Sequence, residues 1–135
     1  MEKIRVSAEF PVSPAIIYKA WLSSKEHSLF TGGKAKISAE EGGKFSAWDG
    51  YITGKTIKLI LNKKILQTWR SSDFAETDQD SLLEIIFLKT KIGTKLTLIH
   101  SNIPDGQGKS YRQGWKDYYF MPMKKYFGYS SVNFV

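Results

Sequence analysis

Between Gly108 and Tyr129 the chain reads GKSYRQGWKDYYFMPMKKYFGY, and no other stretch restricts the fold as much. Wound at 100° per residue, it places Tyr111, Trp115, Tyr118, Tyr119, Pro122 and Tyr126 on one arc. A helix with four tyrosines and a tryptophan on one face does not stand alone in water. It must lie against something broad and apolar, and the rest of the chain has to supply it. Gly128 stands where a helix-terminating glycine belongs. Pro122 removes one backbone hydrogen bond to Tyr118 and predicts a kink.

The preceding residues read as strands. Ile4, Val6, Ala8 and Phe10 alternate with Lys3, Arg5, Ser7 and Glu9, the period of a half-buried strand. Pro11 ends it. Ser13-Pro14 predicts a helix start, with Val12 and Ile17 spaced to staple it. Ser23 and Glu26 have capping-box spacing and open a second short helix, which Thr31-Gly32-Gly33 closes. Short strands then follow at 34–38, 44–48, 51–61, 64–70, 82–89 and 95–103, with one long polar interruption at 71–80. Asp49-Gly50 is the clearest hairpin turn. Gly54, inside a strand, marks a bulge or a close backbone approach. Consecutive strands joined by tight turns are antiparallel. The expectation is an α+β fold: a curved antiparallel sheet of about six to seven strands around a long C-terminal helix, with two short helices after strand one. It forms a single domain over 1–135.

Composition bears on function mostly by exclusion. The absence of cysteine rules out disulfides, thiolate zinc and a cysteine nucleophile. No run approaches the ~18 apolar residues of a membrane span, and no apolar signal region opens the chain. A cytoplasmic protein without a membrane partner is expected. His27 and His100 have no partner at metal spacing, and neither a nucleophile elbow nor a glycine-rich phosphate loop is present. No catalytic residue, metal or cofactor is therefore expected. The formal net charge of +7 suits an acidic partner. The lysines from Lys55 to Lys95, however, are dispersed among apolar residues, as on a solvated sheet face. No RRM or OB signature accompanies the aromatics, so nucleic acid is not expected.

Two places stand out. Off the aromatic arc, Lys109, Arg112 and Lys116 share a helix flank with Phe120, Met123 and Phe127. Apolar side chains among basic ones read as a partner-binding surface. The competing reading covers Phe120 and Phe127 with the short helices or the 71–80 segment. Elsewhere, Trp48, Trp69, Phe87, Trp115 and Tyr118 fall near the helix–sheet gap, where they either pack as core or line a cavity.

Tyr111-Arg112-Gln113-Gly114-Trp115, Tyr118-Tyr119-Phe120, Lys124 and Phe127-Gly128-Tyr129 together resemble the C-terminal domain family of the activator of the 90-kilodalton heat-shock chaperone's ATPase. Phe10, Ser13-Pro14, Tyr18, Phe30-Thr31, Gly42-Gly43-Lys44-Phe45, Asp49-Gly50, Gly54, Lys64-Ile65, Trp69-Arg70, Gly93-Thr94 and Ile103-Pro104 agree in order. The resemblance implies a helix-grip fold of the START and birch-pollen-allergen superfamily. It also implies a cochaperone of the stress response, which binds that chaperone, favours its closed state and hydrolyses nothing itself. A small apolar ligand is the alternative partner, because one fold serves many functions. The full activator's separate N-terminal domain has no counterpart in this chain, so a single-domain relative or one domain of a larger product is expected, with Met1 favouring the first.

Overall fold

The alternation of the first residues becomes β1 (Glu2–Phe10), with Ile4, Val6 and Phe10 buried and Lys3, Arg5, Ser7 and Glu9 exposed. The computed structural model describes residues 1–128. Pro11 turns the chain into α1 (Pro14–Leu22), which buries Ile17, Tyr18, Ala20, Trp21 and Leu22. Ser13 sits at its cap in extended conformation without a side-chain cap bond. At α2 (Ser24–Thr31) the cap does form: the Glu26 amide donates to the Ser23 hydroxyl at 3.1 Å, and Gly32 ends the helix at φ 85°.

Six strands follow: β2 (Lys36–Ile37), β3 (Lys44–Ala47), β4 (Ile52–Ile60), β5 (Lys64–Ser71), β6 (Ser81–Lys89) and β7 (Thr94–Ile103). The sheet order is β1-β7-β6-β5-β4-β3-β2, antiparallel throughout. The first two strands thus occupy opposite edges, and α1 and α2 join them. At the Asp49-Gly50 hairpin, Trp48, Asp49 and Gly50 take φ values of 53°, 57° and 90°. Tryptophan rarely adopts that left-handed conformation. Gly54 proves to be a close approach: a Cβ there would collide with the Thr68 carbonyl and the Phe45 ring. The β4–β5 irregularity falls further on, between Thr56 and Lys58.

The terminal helix runs through four segments: α3 (Gly108–Gly114), a π-helical segment Trp115–Phe120, the short α4 (Met121–Met123) and a second π-helical segment Lys124–Gly128. Its buried stripe is Tyr111, Trp115, Tyr119, Met123 and Phe127, one residue in four. An α-helix repeats every 3.6 residues, so a strict period of four drifts around it. Wider turns, in which the Met121 amide reaches back to the Lys116 carbonyl, hold the stripe in line. Pro122 lies between the two wide segments. Its missing N–H deprives the Tyr118 carbonyl of its ordinary partner, so the break predicted there coincides with a change of hydrogen-bond register.

This register corrects the sequence-level arc. Tyr118 is 61% exposed, Tyr126 is exposed and Pro122 is only half-buried. Phe120, Met123 and Phe127, expected on a partner-binding flank, lie in the core instead. The rings of Phe120 and Phe127 meet Phe10 edge-on at 6.2 and 6.3 Å, and Phe30 of α2 lies 6.1 Å from Phe127. Cover by the second short helix is therefore what happens. Gly128 is helical and is the last described residue, so the helix end expected there, like Tyr129, lies at or outside the limit of the described residues.

Candidate functional site

Where Ser110 and Gly114 face the sheet, the helix has too little side chain to fill the gap. Trp48, Tyr51, Ile52 and Trp69 on the sheet side and Ser110, Tyr111, Gly114, Trp115, Tyr118 and Tyr119 on the helix enclose a cleft of about 390 Å³. A Cβ added at Gly114 would meet only the Tyr118 ring, at 3.8 Å. Gly114 thus opens a space and does not serve a close approach of the helix. Trp48 and Tyr118 form the rim, edge to face at 5.9 Å. The Trp48 ring lies over Gly33, where any side chain would collide with it. Four of the five expected cavity residues, Trp48, Trp69, Trp115 and Tyr118, line this cleft. Phe87 does not, because it lies under α1 with its ring 5.5 Å from Tyr18.

One lip of the cleft is polar. The Tyr51 hydroxyl donates to Asp73 at 2.5 Å. Burial first, and then the Asp73 hydrogen bond, push the Tyr51 pKa up to about 12. The Ser71 hydroxyl donates to the Tyr111 hydroxyl at 2.6 Å, which itself donates to Gln107 at 2.7 Å. The remaining walls are aromatic and aliphatic. The cleft therefore suits an apolar body with at most a few polar atoms at one end.

Below the cleft runs a directed chain of hydrogen bonds. The Trp115 indole N–H donates to His100 Nδ1 at 3.2 Å. His100 Nε2–H donates to the Ser81 hydroxyl at 2.8 Å, and Ser81 donates to the Trp69 carbonyl at 2.6 Å. His27 makes a second tie: its Nδ1–H donates to the Trp21 carbonyl and its Nε2 accepts from the Tyr119 hydroxyl, both at 2.9 Å. Burial draws the His100 pKa down to about 3 and the His27 pKa down to about 4. Ser81 beside His100 has the look of a nucleophile and its base. The Ser81 proton is committed to the Trp69 carbonyl, however, and both residues are buried. Their role is to fix the helix on the sheet. Among the described residues no group of three or more His, Cys, Asp or Glu is placed to hold a metal ion.

Lys109, Arg112 and Lys116 are exposed on the helix. Among the described residues they form no ion pair. Asp117, the acid nearest to them in sequence, accepts from Gln113 at 3.0 Å. The flank is therefore a basic strip whose three cations are in no ion pair among the described residues, and the apolar half expected beside it has gone into the core.

The sequence profile of Activator of Hsp90 ATPase homolog 1-like proteins matches residues 11–128. The chain belongs to that family. The mouse activator of 90 kDa heat shock protein ATPase homolog 1 is 31% identical over 129 residues, 96% of this chain and 38% of the mouse protein. The human homolog 1 is 30% identical over the same shares. A crystal structure of an HSP90 activator from Plasmodium falciparum superposes with a TM-score of 0.83 at 26% identity, covering 92% of this chain and 94% of that one. The chain thus spans 38% of the length of its mouse and human relatives and nearly all of the Plasmodium structure. Its helix-grip architecture carries the basic flank and the cleft on the same helix. The sequence did hold a signal for the cleft: Ser110 and Gly114, two small residues four apart, leave one helix face bare. Tyr51 and Ser71 gave no such signal, because only the fold brings them to the lip.

Proposed function

We propose that the chain binds the 90-kilodalton heat-shock chaperone and stimulates its ATPase by preferring the closed state. The observation that carries this is family membership across residues 11–128. The names of the mouse and human relatives and of the Plasmodium structure all describe activators of that chaperone. The chain itself hydrolyses nothing in this mechanism, and it acts in the cytoplasm. Lys109, Arg112 and Lys116 meet an acidic chaperone surface. Such contact is salt-sensitive, because exposed charges act through a screened field. The test mixes the purified proteins with a non-hydrolysable ATP analogue for binding, and with ATP for turnover. Arg112→Glu with Lys116→Glu is expected to weaken binding about tenfold or more. An absence of wild-type binding at low salt sinks the proposal. Unchanged affinity in the double variant removes this flank from it.

The cleft supports a second reading, a small apolar ligand held between helix and sheet. Its size of about 390 Å³ falls in the range of ligand pockets. Gly114→Leu fills the cleft from its own wall. It is expected to cut binding of an apolar fluorescent dye at least tenfold without lowering stability, since glycine within a helix costs roughly 0.5–1 kcal/mol relative to alanine. Equal dye binding by the variant and the wild type excludes the cleft as the site.

A further inference from the structure

The fold gathers at one end of the sheet what the linear sequence disperses. The β4–β5 turn and the β6–β7 turn lie side by side there. Lys64 pairs with Ile86 across β5 and β6, and the Phe87 amide donates to the Lys63 carbonyl at 2.9 Å. From these two tips Leu61, Ile92 and Leu88 project 73%, 62% and 58% exposed, with Ile60 beside them. Lys63, Lys89 and Lys91 stand among them, exposed and, among the described residues, in no ion pair. Along this edge, among the described residues, Lys64 is the one lysine in an ion pair, with Glu84.

We propose that this pair of hairpin tips is a peripheral contact for an anionic lipid bilayer: Leu61, Leu88 and Ile92 enter the headgroup boundary, and the lysines meet the anionic headgroups. Protein interfaces are enriched in aromatic residues and arginine and depleted in lysine. These tips carry no aromatic residue and no arginine; their exposed side chains are mainly aliphatic groups and lysines, with Asn62 and Thr90 between them. Protruding aliphatic groups ringed by lysine match a surface that is negatively charged outside and hydrocarbon beneath. No helix among the described residues is long and apolar enough to span a membrane, and a surface contact requires none. This inference is independent of the chaperone assignment, which uses the terminal helix.

The experiment is co-sedimentation of the full chain with phosphatidylcholine vesicles, with and without phosphatidylserine, at physiological ionic strength. Binding to the phosphatidylserine vesicles alone is expected. Each lysine near a charged surface contributes about fivefold, so Lys63→Gln, Lys89→Gln and Lys91→Gln together should lower partitioning by about 100-fold. Leu61→Asp with Ile92→Asp should lower it at least about tenfold. The triple variant Lys3→Gln, Lys34→Gln, Lys36→Gln carries the same net charge as the lysine-tip variant and should bind as the wild type does. All these positions are exposed, and unchanged urea midpoints check that the variants remain folded. The proposal is overturned by an absence of sedimentation with phosphatidylserine vesicles. It is equally overturned if the two triple variants weaken binding alike, since basicity alone then explains it. Loss of chaperone binding in the tip variants, with no vesicle binding by the wild type, assigns the tips to a protein interface and also overturns it.

Discussion

Replacing Met123 with alanine is expected to cost about 2–5 kcal/mol of stability, read as a lower urea midpoint at unchanged slope. Met123 is 0% exposed. It lies in the buried stripe between Tyr119 and Phe127, so truncation leaves a void that its neighbours cannot close without breaking their own ring contacts. The position separates two geometries of the same helix. On a uniform 100° winding, Met123 belongs with Lys116 on an outer flank, and its loss would weaken a partner while sparing the fold. With wide turns on either side of Pro122 it is core. Lys116→Ala supplies the comparison, since it is exposed on the same helix and should stay within about 0.5 kcal/mol of the wild type. A Met123→Ala protein with a wild-type midpoint would refute the four-residue stripe.

What the sequence discloses about this protein depends on the range of the interaction. Strand alternation, the Ser23–Glu26 cap and the Asp49-Gly50 turn are decided by residues within a few positions of each other, and each appears in the structure where local chemistry puts it. The antiparallel order of the sheet follows from the same turns. The helix face is different. Five residues at a spacing of four are legible as a stripe only if the turn widens, and that widening centres on a proline whose effect on register is not fixed by its neighbours alone. An error of 10° per residue is negligible over one turn but carries Phe120, Met123 and Phe127 from the core to the surface over three. The cleft lies further from view. Trp48, Trp69, Trp115 and Tyr118 are as consistent with a filled core as with a wall, and the decision rests on Gly114, an atom's absence, read against sheet residues 45 to 66 positions earlier in the chain. The basic positions Lys109, Arg112 and Lys116 are exposed as expected because charged side chains seldom go inside unpaired. The tips at Leu61 and Ile92 escape a linear reading altogether, since only strand pairing sets one beside the other.

Acid is expected to loosen the terminal helix well above the pH at which carboxylates normally titrate. His27 and His100 are neutral in the fold, with pKa values of about 4 and about 3, against about 6.5 in an unfolded chain. The sign follows from proton counts. Below about pH 6.5 the unfolded chain takes up two protons that the folded one refuses, so stability falls as pH falls, and it continues to fall until each folded pKa is reached. At pH 5 each histidine costs roughly 2 kcal/mol, together about 4, a large share of an ordinary domain's stability of about 5–15 kcal/mol. The local cause differs between the two. Protonated His100 presents Nδ1–H to the Trp115 indole N–H, donor against donor. Protonated His27 still has the Trp21 carbonyl as acceptor, and the Tyr119 hydroxyl can turn to accept instead of donate. His27 therefore suffers mainly the burial of its charge, whereas His100 also loses a hydrogen bond. Urea midpoints measured from pH 7.5 down to pH 4.5 should fall throughout, and His100→Gln, whose amide keeps a donor toward Ser81, should remove about half of the slope. Because Trp115 reports on His100 and Tyr119 on His27, near-ultraviolet circular dichroism should register the Tyr119 environment changing first, since His27 keeps the higher folded pKa. A flat stability profile between pH 7 and pH 5 would mean that neither histidine is held as tightly as these distances describe.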